Sequence, residues 1–291
     1  MAGVLDPTSH RYYFLSTFST VPKLPIFSAE FLGSTGNVLV SGRRQFFYIY
    51  DAAAGKLDMI PRIPERSEKS LERFSASSDG RTVAFMGNDG YIILFDAKRK
   101  HWIADLKMNG SVRALTFTPD GKQLLASGSD GDIYRWDLAS RKCIERFSNQ
   151  DGTVTASLAA SPSHFAAGAH SGVVNLYSEQ DPASSAATTN SAFSILKHRE
   201  PIKSIMNLHT SADCLRFNHD GQLLAMSTRR ETHGGLKLIH VPTATVFSNW
   251  PTSKTPLGYV WSMDFSPESR FLAIGNDKGK CLLYSVAHYA D

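Results

Sequence analysis

The chain has 291 residues, of which 42% are hydrophobic, 20% charged and 11% aromatic. This composition excludes collagen-like, fully disordered and small disulfide-stapled proteins, and it supplies enough apolar residues for a large core. The formal net charge of +4 permits contact with RNA or an acidic partner but does not demand one. We expect no membrane span and no secretory signal, because there is neither a long apolar run nor a basic segment followed by an apolar one at the start.

The first predicted element is a strand at Tyr12–Phe18, where the sequence reads YYFLSTF. A repeated pattern begins after it. We therefore expect residues 1–24 to form an amino-terminal segment with one outer strand, and residues 25–291 to form one repeat domain.

The clearest unit of this repeat runs from Ser111 to Phe147. It contains four short alternating or apolar runs, separated by turn residues such as the Asp-Gly pair at 130–131. Alternation is typical of strands, whose successive side chains point to opposite faces, and Asp-Gly is a strong hairpin signal. The unit therefore predicts a four-stranded antiparallel sheet.

The same unit recurs along the chain. In each copy the third run ends on an aromatic or apolar residue, and four of the five intervals between these residues are 41 or 45 residues long. This is the period of WD-type propeller blades, so we predict an all-β WD-repeat β-propeller with six four-stranded blades. The six blade anchors are Tyr50, Phe95, Trp136, Tyr177, Ile239 and Tyr284. Two arrangements stay open: a closed six-blade ring whose last blade takes Tyr12–Phe18 as its outer strand, or a seven-blade ring missing one blade.

The remaining interval, from Tyr177 to Ile239, is 62 residues long because it contains an insertion. Residues 179–196 are rich in Ser, Ala and Thr and lack strand alternation, which predicts an inserted surface loop. A recognition role for this loop is the alternative interpretation.

Signals for catalysis, cofactors and metals are weak along the chain. The run Gly275–Lys280 resembles a phosphate-binding loop but is too short and lies at a predicted hairpin turn. The ten histidines do not cluster at metal-binding spacing, and the three cysteines form no C-x-x-C pair. We therefore predict no enzyme activity and no catalytic, cofactor or metal site.

Basic residues recur at the predicted turns. Loops gather on the two faces of a propeller, so some of these residues could form an electropositive patch for RNA phosphates, although solvated loop charges are the simpler interpretation. The candidate RNA or partner contacts are Arg43, Arg44, Lys98, Arg99, Lys100, Arg229 and Arg230.

More specific segments occupy the carboxy-terminal third: Pro201–His209, Cys214–Ser227 and Leu236–Pro251. Together with Gly42–Asp51 and a run beginning at Trp261, they resemble the U3 small nucleolar RNA-associated protein 18 family, WD-repeat subunits of the small-subunit processome. The resemblance covers roughly residues 25 to 291.

This resemblance implies a non-catalytic, nucleolar scaffold subunit that supports U3-dependent pre-rRNA processing and 18S rRNA maturation. The implied partners are other WD-repeat and helical-repeat processome subunits, U3 ribonucleoprotein and pre-rRNA. Family members usually carry a long charged amino-terminal extension and a further first blade, and we expect this chain to lack both.

Two other functions remain to be weighed against the scaffold. The first is a WD-repeat adaptor such as a ubiquitin-ligase substrate receptor, but many of these carry Arg two residues after a Trp-Asp pair, where this chain has Ala139. The second is a propeller enzyme, which would need carboxylates or histidines converging near the axis.

Overall fold

The computed structural model describes residues 3–5, 12–14, 25–64, 66–150, 153–180, 199–232, 235–252 and 254–286, almost all in antiparallel strands and tight turns. The first two strands, β1 (Gly3–Leu5) and β2 (Tyr12–Phe14), pair with each other in a two-stranded sheet. No helix in these ranges is both long and apolar enough to cross a bilayer.

Six further sheets follow, each built from consecutive strands in chain order. Sheet 1 contains β3 (Ile26–Phe31), β4 (Asn37–Gly42), β5 (Phe47–Asp51) and β6 (Lys56–Ile60). Sheet 2 contains β7 (Phe74–Ala76), β8 (Thr82–Met86), β9 (Tyr91–Asp96) and β10 (His101–Lys107), with a 3₁₀ turn at Asn88–Gly90. Sheet 3 contains β11 (Val112–Phe117), β12 (Gln123–Gly128), β13 (Asp132–Asp137) and β14 (Lys142–Ser148). Sheet 4 contains β15 (Thr155–Ala160), β16 (His164–Ala169), β17 (Val174–Ser178) and β18 (Lys203–Ile205). Sheet 5 contains β19 (Cys214–Phe217), β20 (Leu223–Ser227), β21 (Leu236–His240) and β22 (Thr245–Val246). Sheet 6 contains β23 (Val260–Phe265), β24 (Phe271–Asn276) and β25 (Cys281–Ser285).

These sheets confirm the predicted all-β class and the six repeated units. Five have four strands, and in sheet 6 the strand β25 pairs with β24 alone among the described residues. Of the predicted outer strand Tyr12–Phe18, the first three residues form β2 and the others lie outside the described residues. Most of the predicted loop 179–196 lies outside them as well. The chain divides into two compact units, Met1–Val112 and Arg113–Asp291.

The six blade anchors all lie on the third strand of their sheet, and each pairs with an apolar residue on the second strand. The pairs are Val38–Tyr50, Val83–Phe95, Leu124–Trp136, Phe165–Tyr177, Leu224–Ile239 and Leu272–Tyr284. The first five anchors are at most 7% exposed. Tyr284 is only half-buried, because no fourth strand covers β25 in the described residues; its ring packs edge-on against Trp250 at 5.1 Å.

After the first three anchors, an aspartate stabilises the turn into the fourth strand. The carboxylate of Asp51 accepts the backbone N–H groups of Ala53 and Ala54 at 3.0 and 2.9 Å, and Asp96 and Asp137 each accept the amide three residues on. In sheet 5, Nδ1 of His240 instead lies 2.7 Å from the hydroxyl of Thr243. Short side chains that bond nearby backbone groups stabilise turns, which explains the repeated Asp.

Small residues on the second strands allow the sheets within each unit to pack closely. Ala84, Ala126 and Ala225 are completely buried. At Gly168 in β16, an added Cβ would lie 2.8 Å from the Cβ of Ala212 and 2.6 Å from the Ser157 hydroxyl. Any larger side chain would push these segments apart.

A buried ionic cluster joins sheets 3 and 4 and is formed by Arg135, Glu145, Glu179 and Arg199. Nη1 of Arg199 donates to both oxygens of Glu145 at 3.1 Å, and Nε of Arg135 lies 3.1 Å from the same carboxylate. Arg135 also pairs with Glu179, while Nη2 of Arg199 donates to the carbonyl oxygen of Glu179 at 3.1 Å. Both guanidinium groups lie over the ring of Phe165. The cluster therefore holds together the two chain segments from which the insertion departs.

Candidate nucleic-acid interface

The chain order of the strands defines two ends for every sheet. The first and third strands run in one direction and the second and fourth in the other. One end, here called the upper end, carries the turn between strands two and three and the connections to neighbouring sheets. The lower end carries the other two turns. The location of each basic residue follows from the turn that contains it.

Arg43 and Arg44 lie at the upper end of sheet 1, in the turn between β4 and β5. The Arg43 Nε donates to Glu72 at 2.8 Å, and the guanidinium group lies 5.5 Å from the ring centre of Phe27. The side chain of Arg43 is 72% exposed, so this ion pair is screened by solvent. Nη1 of Arg44 donates to the carbonyl oxygen of Arg43 at 3.3 Å.

Lys98, Arg99 and Lys100 lie at the lower end of sheet 2, in the turn between β9 and β10. All three are exposed. The Lys100 Nζ lies 2.6 Å from Asp58, and the hydrogen bonds from Lys100 and then Lys56 hold the pKa of Asp58 below its ordinary value. The ammonium group of Lys100 is therefore already paired.

Within the first unit, these two basic groups lie at opposite ends of adjacent sheets. The lower turns of sheets 1 and 2 meet at Gly33 and Gly80, where an added Cβ on Gly80 would lie 2.3 Å from the Leu32 carbonyl oxygen. The upper ends meet where the Ser41 hydroxyl donates to the carbonyl oxygen of Glu72 at 3.2 Å. The sheets are thus oriented alike, and the structure does not bring Arg43 and Lys98 into one patch.

Arg229 and Arg230 lie at the upper end of sheet 5, in the turn that follows β20. The Arg229 N–H donates to Asp213 at 2.9 Å, which fixes the backbone of this turn. The Arg229 guanidinium lies 5.5 Å from the ring centre of Trp261, at a distance typical of a cation–π contact. Arg230 is exposed.

Trp261 is the functional candidate that sequence reasoning missed. It lies on β23 and is 51% exposed, although the apolar pattern of this strand favours burial. The pairing of β23 with β24 shifts register between Val260 and Ser262, which marks a β-bulge at Trp261. A bulge inserts an unpaired residue and changes the direction of its side chain. Neither alternation nor composition could have indicated this.

The same irregularity occurs on the first strands of sheets 1 and 4, at Phe27 and Ala156. Phe27 resembles Trp261 in its surroundings, because the guanidinium groups of Arg43 and Arg73 lie 5.5 and 5.8 Å from its ring centre. Each unit therefore carries one bulged aromatic residue beside arginine.

The upper end of sheet 6 adds further basic and aromatic groups. Lys278 and Lys280 are exposed in the turn between β24 and β25, in the run that resembles a phosphate loop. The Asp277 carboxylate accepts the Tyr259 N–H at 3.0 Å, and the Asp277 N–H donates to the Tyr259 carbonyl oxygen at 3.1 Å. Gly258 has φ of +68°, and an added Cβ would lie 2.6 Å from Asp277, so glycine is required there.

Other reactive groups do not assemble into a site in the part of the chain that the structure describes. No three His, Cys, Asp or Glu side chains converge there to hold a metal ion. Burial raises the pKa of the Cys214 thiol and of the Cys143 thiol. Neither thiol is therefore activated as a nucleophile.

Comparison with known proteins supports the repeat assignment. A family model, "WD domain, G-beta repeat", matches residues 103–137 and 251–285. Both matches end on the third strand of a sheet, β13 in the first case and β25 in the second. Together with the six sheets, they identify the fold class as a WD-repeat β-propeller.

Longer similarities extend over nearly the whole chain. It is 44% identical over 267 residues to the U3 small nucleolar RNA-associated protein 18 homolog of Arabidopsis thaliana, covering 91% of this chain and 46% of the relative. The Homo sapiens homolog is 38% identical over 273 residues, covering 92% and 47%. The Saccharomyces cerevisiae protein is 29% identical over 296 residues, covering 87% and 48%. The chain thus spans about half the length of these relatives.

Proposed function

Because the chain belongs to the U3 small nucleolar RNA-associated protein 18 family by homology over nine-tenths of its length, we propose that it is a non-catalytic scaffold subunit of the small-subunit processome. In this role it supports U3-dependent pre-rRNA processing and 18S rRNA maturation in the nucleolus. The single observation that carries the proposal is the 44% identity to a protein named for its association with U3 small nucleolar RNA.

The sheets and their surfaces support a docking role. Tightly packed sheets, whose second strands are largely buried in sheets 1 to 5, hold their connecting loops in fixed positions, as a binding scaffold requires. The upper ends carry arginine beside an exposed aromatic ring at Trp261, a combination suited to protein or RNA contacts. The partners that we propose are other WD-repeat and helical-repeat processome subunits, together with U3 ribonucleoprotein and pre-rRNA.

The experiment that tests this function is affinity purification of the tagged chain from nuclear extract. We expect U3 small nucleolar RNA and other processome subunits to be enriched relative to an unrelated tagged WD-repeat protein purified in parallel. A processome subunit already shown to recover U3 in the same extract serves as the positive control.

Two results would contradict the proposal. If the control subunit recovers U3 while this chain recovers neither U3 nor processome proteins, the scaffold role is wrong. Recovery of a cullin-ligase adaptor in their place would favour the substrate-receptor function.

A further inference from the structure

We propose that the upper ends of sheets 5 and 6 bind single-stranded RNA, with Trp261 as the platform on which an unpaired base stacks. This inference rests on the proposed function and names the RNA-contacting surface of the scaffold. The surface, here called the Trp261 face, consists of Arg229, Arg230, Tyr259, Trp261, Lys278 and Lys280. All six residues lie within the second compact unit.

Trp261 is both exposed and held on a rigid strand. A tryptophan that is 51% exposed leaves much of its ring open to a ligand, and the bulge at its position holds it out of the sheet. Both neighbours are held in the sheet, because Val260 is buried and pairs with Asn276, and Ser262 pairs with Gly275. A ring on a rigid strand loses little entropy when a base stacks on it, and such stacking does not depend on base identity.

Arg229 lies beside the aromatic platform. Its guanidinium is 5.5 Å from the centre of the Trp261 ring, and the residue is partly exposed. A phosphate oxygen is a strong, often bidentate acceptor for an arginine. The arginine would therefore position a phosphate next to the base held by Trp261.

The upper ends of sheets 5 and 6 carry a small excess of positive charge. In the part of the chain that the structure describes, Arg229, Arg230, Lys278 and Lys280 have no ion-pair partner. Three carboxylates lie at the same sheet ends, and two of them, Asp213 and Asp277, each accept a backbone N–H of this surface; the third is Glu231. Cations in the turns next to an exposed aromatic ring match the alternating phosphates and bases of a single strand.

A single strand fits this surface better than a duplex. Bases within a duplex are already stacked on one another, whereas unpaired bases can be splayed onto an aromatic side chain. The surface is also richer in cationic groups than in apolar ones, which favours RNA over an apolar protein partner.

The test is fluorescence anisotropy of the full chain with a labelled single-stranded RNA of mixed sequence, about 12 nucleotides long. Trp261→Leu removes the ring and is expected to weaken binding about 5- to 150-fold, whereas Trp261→Phe keeps an aromatic face and should retain most of the affinity. Because Trp261 is half-exposed, Trp261→Leu should change the melting temperature by no more than about 2 °C.

The charge contribution has a matched control. Arg229→Gln with Arg230→Gln removes two cations from the Trp261 face and should lower the slope of log affinity against log salt by about 1.4. Arg141→Gln with Lys142→Gln removes two exposed cations from a lower-end turn in the same unit and should leave the slope unchanged. This pair of variants keeps the test decisive if Trp261→Leu fails to fold.

Four results would overturn the proposal. Three are the absence of RNA binding, wild-type affinity in both the Trp261→Leu variant and the Arg229/Arg230 variant, and equal affinity for a duplex of the same length. Displacement of the RNA by polyglutamate with equal affinity would point instead to an acidic protein partner and would also refute it. If the chain still recovers U3 from extract while the Trp261 face proves inert, only the interface is wrong and the scaffold function stands.

Discussion

The buried ionic cluster at the base of the insertion yields the sharpest prediction about stability. Glu145 is 5% exposed and is the shared acceptor for two arginines, Arg135 and Arg199, which are equally buried. The substitution Glu145→Gln keeps the shape of the side chain but removes its negative charge. Arg135 then keeps its pair with the Glu179 carboxylate, whereas Arg199 is left without a carboxylate contact among the described residues.

The magnitude follows from the burial of these groups. Removing one partner of a buried ion pair typically costs about 3–5 kcal/mol, because the remaining charge stays out of water without compensation. Typical domains are stable by only about 5–15 kcal/mol, so this loss is a large share of the total. At about 2–4 °C per kcal/mol for a chain of this size, Glu145→Gln should lower the melting temperature by about 6–20 °C.

Thermal unfolding followed by circular dichroism measures this change. The matched control is Glu268→Gln in the same unit, because Glu268 pairs with Arg270 at 3.2 Å but both side chains are about half exposed. Exposed pairs contribute about 0–1 kcal/mol, so the control should melt within a few degrees of the wild type. A Glu145→Gln protein that melts within about 2 °C of the wild type, or no lower than the control, would refute the reasoning.

Three further predictions concern the turns and the insertion. Replacing residues 181–198 with a short Gly-Ser linker should leave the melting temperature nearly unchanged, because the entropic cost of closing a loop depends weakly on its length and Arg199 still bonds Glu179. A large drop in the melting temperature would contradict this. Burial opposes ionisation of Asp96, but hydrogen bonds from the Arg99 amide and from Arg81 outweigh it, so the pKa of Asp96 lies below its ordinary value. The contribution of Asp96 to stability should therefore be constant above about pH 4 and fall as the pH drops through that lowered pKa, and Asp96→Asn should lose part of this acid dependence in urea titrations. Ser269 is buried with φ of +56°, and its hydroxyl donates to Asp220 and accepts from Asn218. Ser269→Ala should therefore destabilise the protein by about 1–3 kcal/mol, and Ser269→Gly by less, since glycine relieves the backbone strain. The reverse order of stability in urea unfolding would count against this explanation.

The repeat could be predicted because it depends on local chemistry. Strand alternation, small residues on the second strands and turn-forming Asp and Gly residues act over a few positions, and each recurs with the blade period. The anchors could be located for the same reason. Tyr284 differs from the other anchors only because coverage by a neighbouring strand is a property of the sheet and not of the segment.

The missed features arise from contacts between distant positions. The bulge that exposes Trp261 is a register shift between two strands, and no single strand encodes it. The four members of the ionic cluster are spread from Arg135 to Arg199, and in the sequence alone each looks like an ordinary surface charge. Similarly, the basic turns at Arg43 and Lys98 look alike in sequence, and only strand direction places them at opposite sheet ends.

The bulge on the first strand presents a side chain to the surface without being part of the regular strand pairing. Phe27, Ala156 and Trp261 occupy it in three sheets, with side chains of very different size. All three side chains are at least partly exposed, and a bulge sets the direction in which such a side chain points. A single substitution at this position can therefore change the surface that a blade presents to its partners, while the strands that carry it stay the same.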